Sequence, residues 1–370
     1  MVAVGTAYSN TSYLSLASTL AANNAASGTA NASASQPTST EQAATSVTLS
    51  SAAMAALAVK DFATVIADAK AKLTALLKDA DRTSPLEGGK LALDLSSLDP
   101  RELYAMASDK SFTEDERAAA GLEMQRRFEA AMAGPAALAK VTGNYTGLYK
   151  AAAEYLDSLG AEEKADADWI NGRAAVTEGL KQLQTDPKKL PDAGDDDPVA
   201  LYLALVKAGE ESKPQNIGDV ATSARKALDK LYADAIKNGK APTFNKQTTV
   251  GTFIDMSSFD SRTLSSIALN TGNKFSAEEV RAAEGAMRSK SGAALLAGFQ
   301  SAAKSSDPTA FSQNIISLYS SMSAEERQAA GWSTEFYQTA LASYQTTSKL
   351  TQMFAEAGGS NTGFLSWMGK

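Results

Sequence analysis

A pattern that occurs twice constrains this chain more than any other feature. Leu93-Asp94-Leu95-Ser96-Ser97-Leu98-Asp99-Pro100-Arg101-Glu102-Leu103 returns 161 positions later as Ile254-Asp255-Met256-Ser257-Ser258-Phe259-Asp260-Ser261-Arg262-Thr263-Leu264. Further on, Phe112-Thr113-Glu114-Asp115-Glu116 matches Phe275-Ser276-Ala277-Glu278-Glu279, and Leu159 to Lys164 matches Met322 to Arg327. Trp169 matches Trp332, and these later pairs share an offset of 163. Upstream, Asp61, Ala63 and Thr64 align with Asp219, Ala221 and Thr222, and Lys72-Leu73 with Lys230-Leu231. A nearly constant offset over more than a hundred residues is the signature of a repeated structural unit.

The reading that follows is an all-α chain: two tandem, internally duplicated helical-bundle domains behind a disordered N-terminal segment. The expected boundaries are a Ser/Thr/Ala/Asn-rich tail at 1–52, copy one at 53–210, copy two at 218–358 and an apolar C-terminal tail at 359–370. Copy one ends Leu205-Val206-Lys207-Ala208-Gly209 and copy two ends Phe354-Ala355-Glu356-Ala357-Gly358, where the offset has fallen to 149. An acidic, Pro-containing insertion at about 184–197 accounts for the difference.

Helical periodicity carries the element assignment. Phe62, Ile66, Leu73 and Leu76/Leu77 recur at helical spacing, as do Leu148, Ala152, Tyr155, Leu156 and Leu159. Their counterparts Phe311, Ile315, Leu318, Tyr319 and Met322 are apolar too, which predicts the same buried face in both copies. Thr113–Glu116, Ser276–Glu279 and Ser323–Glu326 are capping boxes, and Pro100 and Pro198 stand at first helical positions. About five helices per copy are predicted. Lys246–Ile254 is the one strand candidate, with Lys90–Leu95 as its expected partner.

Composition bounds the chemistry. The 370 residues contain no cysteine and no histidine, which excludes disulfides, thiol nucleophiles, a Ser-His-Asp triad and most zinc chemistry. A net charge of −7 and a pI near 5.0 argue against a nucleic-acid partner. No catalytic, cofactor-binding or metal site is assigned, and no phosphate loop, dinucleotide fingerprint or nucleophile elbow occurs. Asp94/Asp255 and Ser97/Ser258 read as turn and cap residues rather than ligands. Arg101/Arg262, in a first helical turn, needs a carboxylate partner, for which Asp94/Asp255 is the sequence-based choice. Trp169 and Trp332 read as core anchors. The loop Asp192-Ala193-Gly194-Asp195-Asp196-Asp197 lacks the spacing of a calcium loop and reads as a solvated insertion with Asp197 as a helix cap.

The first 59 residues carry a single charged side chain, Glu41, with Tyr13, Leu14, Leu16 and Leu20 scattered among small polar residues. Such a stretch buries too little apolar surface to offset its ordering entropy. It has neither the basic start nor the apolar run of a signal peptide, and no segment reads as a membrane span. It resembles, as a compositional class, the N-termini of bacterial flagellar and type III secretion substrates, many of which also lack cysteine. The resemblance covers about the first 50 residues and carries no residue roles.

It implies a bacterial protein exported without a cleaved signal peptide. Such a protein is expected to be non-enzymatic, acting through a protein partner, by self-assembly or within an extracytoplasmic, flagellar or secretion-related assembly. The alternatives are an exported effector or envelope enzyme using carboxylate catalysis, and a cytoplasmic helical adaptor. The apolar C-terminal residues Phe364, Leu365, Trp367 and Met368 are expected to dock either on the body or on a partner.

Overall fold

The structure, a computed structural model, describes residues 60–209, 211–212 and 214–359, the last six of these as backbone only. The expected tail at 1–52 lies outside the described residues, as does the expected tail at 359–370 apart from Gly359, which ends the last helix. Among those described, α-helices dominate, and four two-residue strands form two small ladders. The contacts divide the chain into two compact units, one containing 60–125 and 159–166, the other 126–158 and 167–359.

In the first unit, α1 (Phe62–Asp79) starts where the Asp61 carboxylate accepts from the Thr64 amide at 2.7 Å. A hairpin of β1 (Leu86–Glu87) and β2 (Lys90–Leu91) turns on Gly88 and Gly89, whose φ values of 56° and 74° suit a two-glycine hairpin turn. Helix α2 (Pro100–Ser108) is closed by a capping box in which Asp99 accepts from the Glu102 amide and Glu102 accepts from the Asp99 amide. The division between units falls inside α3 (Glu114–Thr142), and α5 (Ala161–Lys164) returns to the first unit. Its core joins Ala69 and Leu73 of α1, Leu93, Leu95 and Leu98 of the repeated motif, and Leu103, Met106 and Phe112.

In the second unit, α4 (Thr146–Asp157), α6 (Ala167–Thr185) and α7 (Pro198–Ala208) pack on one another. Gly179 of α6 sits so close to α4 that a Cβ there would lie 2.2 Å from the Tyr149 ring. The Tyr149 hydroxyl donates to the fully buried Asp197, whose other oxygen accepts from the Val199 amide and caps α7. The insertion therefore ends in a structural anchor: Asp195 and Asp196 are exposed, while Asp197 is a buried cap.

The same unit continues with α8 (Ile217–Lys237), α9 (Ser261–Ala268), a short 3-10 turn (Thr271–Asn273), α10 (Ala277–Ala303), α11 (Ala310–Ser321), α12 (Ala324–Ala330) and α13 (Thr334–Gly359). Ile254, Met256 and Leu264, the counterparts of Leu93, Leu95 and Leu103, are buried beside Leu228, Ile267 and Met287. Ile315, Ile316 and Ala340 form a smaller core between α11 and α13.

Several expectations need correction. Strand β4 (Thr252–Phe253) pairs in parallel with β3 (Pro242–Thr243), not with Lys90–Leu95, because a carbonyl eleven residues upstream is the nearer partner. The expected copies hold α1–α7 and α8–α13, more than five helices each, since Gly160 and the turns around α5 and α12 break long apolar patterns. The first helices match in burial at an offset of 155, not 158. Val65, Ala69 and Leu73 are buried, as are Val220, Ala224 and Leu228, and the caps Asp61 and Asn216 share that register. Asp219, aligned from sequence with Asp61, instead lies inside α8. The predicted buried face also fails in part: Leu148, Leu156 and Leu159 are buried, whereas Phe311 is exposed and Tyr319 and Met322 are half-buried.

Replacing Gly179 by Ala forces a Cβ into the buried Tyr149 ring, and overpacking of this kind costs about 1–3 kcal/mol. Trp332→Ala, at a buried ring packed edge-on at 5.2 Å against Phe336, is expected to cost about 3–5 kcal/mol. Urea denaturation of both variants reads these losses; a change below about 1 kcal/mol at either site contradicts the packing described.

Candidate functional site

The repeated motif builds a turn followed by an arginine clamp. Asp94 and Asp255 accept from the amides of Ser96 and Ser257 at 2.9 and 2.8 Å, so each carboxylate orders its own turn. That bond holds the Asp255 carboxyl below the ordinary range. Ser97 and Ser258 are exposed.

The arginines do not pair with these aspartates. Arg101 reaches the Lys60 carbonyl at 2.6 Å and grips both carboxylate oxygens of Glu162 on α5. Arg262 donates to the Gln215 carbonyl, to the Ser323 hydroxyl at 2.8 Å and to Glu325 on α12 at 3.5 Å. Lys60 and Gln215 each precede the cap of a first helix, and Glu162 and Glu325 are 163 positions apart. A first-turn cation is thus satisfied by distant groups, because the local Asp is already spent on its turn.

A second cluster in the first unit was invisible to spacing arguments. Glu163 on α5 is only 5% exposed, and its Oε2 makes no hydrogen bond among the described residues. Burial, aided by repulsion from the nearby carboxyl of Asp166, pushes its pKa up to about 7. Asp166 is buried as well and accepts from the Tyr104 hydroxyl at 3.1 Å, and burial with that carboxylate pushes the phenol well above its usual range. At the matching position in the second half, Glu326 bonds back to the Ser323 amide in a capping box. Gly160 replaces that serine in the first half and offers no side-chain cap. In the sequence the two environments differ at Gly160, where the second half has Ser323, and at Asp166, where it has Ala329.

Trp332 is buried, while Trp169 is half-buried on α6 and donates its indole N–H to the Leu156 carbonyl at 2.9 Å. The two rings thus stand in different local structure, Trp169 inside a helix and Trp332 just before one. The second unit also holds an open groove of about 500 Å³ lined by Thr142, Lys188, Asp307, Gln313, Tyr344 and Thr351, among others. Asp307 there is engaged by Thr309 and Gln313, so much of its polar lining serves local turns.

A further open feature of the second unit is apolar. Leu296 and Phe299 on α10 are each 57% exposed, and Phe311 on α11 is 38% exposed. Phe299 and Phe311 pack edge-on at 5.7 Å. No charged residue occurs from Ser291 to Ala303 or within α11, so this face carries little to keep it wet. The sequence signal was there, two large apolar residues three apart in a run of small ones, but periodicity assigned Phe311 to the core. Phe364 to Met368 lie outside the described residues.

No known protein family, no curated protein and no solved structure matches this chain. No helix among the described residues is long and apolar enough to cross a membrane.

Glu163 gives a signed pH dependence. An unfolded glutamate titrates near 4.5, so between that pH and about 7 the folded chain holds a proton that the unfolded chain has lost. This group's contribution to stability is therefore full at low pH and declines as pH rises through 7. Glu163→Gln, permanently neutral, should match the wild type near pH 4.5 and exceed it at pH 8 in urea midpoint. Parallel curves for the two proteins contradict the assignment.

Proposed function

We propose that this is a non-enzymatic, exported bacterial protein that acts by protein–protein interaction, as part of a flagellar- or secretion-related assembly outside the cytoplasm. The observation that carries the interaction reading is the open α10–α11 face. Large exposed apolar clusters are rare on chains that need no partner, and Leu296, Phe299 and Phe311 form one on a stretch free of charge. The export reading rests on the N-terminal 59 residues with their single charge.

The body is read as two copies of one unit, 53–210 and 218–358. Three matches support this: the turns at Asp94 and Asp255, the arginine clamps, and the buried positions of α1 and α8. The different settings of Trp169 and Trp332 weigh against a close superposition at that point, where α12 runs on over positions at which α5 has ended. Ancestry and packing need not share a boundary, since helices of one copy can pack with those of the next.

One observation favours a second reading, an exported enzyme using carboxylates: Asp166 and Glu163 are close and buried, and Glu163 is shifted toward neutrality. Its burial is the difficulty, because a substrate needs access that a group 5% exposed does not offer.

The deciding experiment removes residues 1–50. A chain starting at Ala52 should keep its helical circular dichroism and its unfolding midpoint, and should no longer appear in the culture supernatant or assembly of its host. Loss of folding would make the segment structural; undiminished export would favour the cytoplasmic adaptor with a passive tether.

A further inference from the structure

The two halves treat one surface differently. At matching positions, Leu148 of α4 is fully buried and Phe311 of α11 is 38% exposed, although the buried positions Tyr149, Ala152 and Ala153 have buried counterparts in Ser312, Ile315 and Ile316. The helices are equally long, 12 residues each, and the middle of the face is preserved while its start at Phe311 is open in the second half. In the first half the chain leaves the 19-residue α6, turns through the loop 186–197 and returns as α7, which packs on α4 and α6. In the second half that loop has no counterpart. The chain runs straight on as the 26-residue α13, and among the described residues no helix follows it.

The distal part of α13 is thus the segment that occupies α7's place in the chain order but cannot fold back without a loop. Its Leu350 and Met353 are 44% and 55% exposed, a second apolar surface left open by the described residues. An apolar helix face and a second open apolar face, carried on one chain whose last helix does not turn back, describe the two halves of an exchanged contact. Because every copy carries both surfaces, two copies satisfy both at once under a two-fold axis, and the assembly closes.

From this we infer that the face formed by Leu296, Phe299 and Phe311 binds the distal half of α13 from a second copy of this chain, in the place α7 takes over α4 in the first half. The inference rests on the interaction reading and on the two-copy reading above, and it names the partner. Uncharged surroundings fit it: Ser291 to Ala303 and the whole of α11 present no charge to be stranded on closure, and the small exposed residues Gly292, Ala293 and Ala297 permit a close helix approach.

The absence of cysteine makes the test clean, since any introduced thiol is unique. Light scattering on the full chain at tens of micromolar should give twice the 38.5 kDa chain mass. Phe299→Glu and Leu350→Glu, both at exposed positions, should keep the wild-type circular dichroism and fall to the single-chain mass. For the exchange itself, Ala297→Cys and Met353→Cys chains are mixed and treated with a short bismaleimide. A cross-linked product should accumulate several-fold more in the mixture than with either chain alone. A Val250→Cys chain, exposed but outside both surfaces, serves in place of either as the background control.

A wild type of single-chain mass overturns the inference, as does a dimer that survives both Glu variants or shows no preference for the mixed cross-link. The broader interaction reading fails separately. If the wild type is monomeric but Phe299→Glu still abolishes assembly in the host, another protein takes the face and only self-association is lost. If the variant assembles normally, the interaction reading falls as well.

Discussion

In each half, one partly shielded arginine decides how three separated pieces of chain meet. Arg101 and Arg262 stand in the first turn of a helix, where the helix dipole opposes a cation, so neither is held by its own helix. Each is held by a carbonyl just before another helix and by groups on a short helix 61 to 63 residues later. Charge-assisted, forked bonds of this type fix orientation as well as distance. They need a planar group with several donors, and lysine would not replace it. Both partners are largely shielded: Arg101 and Glu162 side chains retain only 21% and 25% of their exposure. Removing either would leave the other without its charge partner in a poorly hydrated place, which is costlier than never having had the pair.

Around that constraint the division between what was legible in the sequence and what was not has a physical basis. Local features were readable. The three capping boxes, the Asp197–Pro198 helix start and the turn-forming Asp94 and Asp255 depend on atoms within three residues, and they stand as read. The motif's apolar positions at Leu93, Leu95 and Leu98 are core because turn and helix geometry leave them one direction to point. Long-range choices were not readable. The partner of Arg101 lies on α5, and nothing in spacing marks Glu162 over the nearer Asp94. The strand at Thr252 found Pro242 because a parallel ladder needs only a carbonyl in reach, not a matching hydrophobic pattern.

Glu163 shows the same limit from the opposite side. It sits in a stretch that reads like its counterpart at Glu326, yet the replacement of Ser323 by Gly160 removes a cap hydroxyl and the two carboxylates part company. One joins a helix terminus through charge-assisted bonds; the other turns inward beside Asp166 and carries a raised pKa. Desolvation and a like-charged neighbour are both properties of the packed state. A sequence comparison can flag that the cap has been lost, but not where the freed side chain goes.

The difference between the halves at their ends follows from the same economy of local and distant forces. Helix α7 returns because a 12-residue loop and a Pro198 start allow it, and because Asp197 couples that start to Tyr149 across the helix pair. Take away the loop and the capping aspartate, and continuation is the lower-energy path, since each further residue adds a backbone hydrogen bond without the entropy of a new nucleus. The second half takes that path as α13, and a helix that would have been core becomes a rod with apolar residues on its outside. Apolar area left exposed costs about 25 cal/mol per Å² relative to its burial. An exposed loop that ends in the buried cap Asp197 and a long last helix with Leu350 and Met353 exposed are therefore one difference seen twice: the first half has a loop that turns the chain back, and the second half runs on without one.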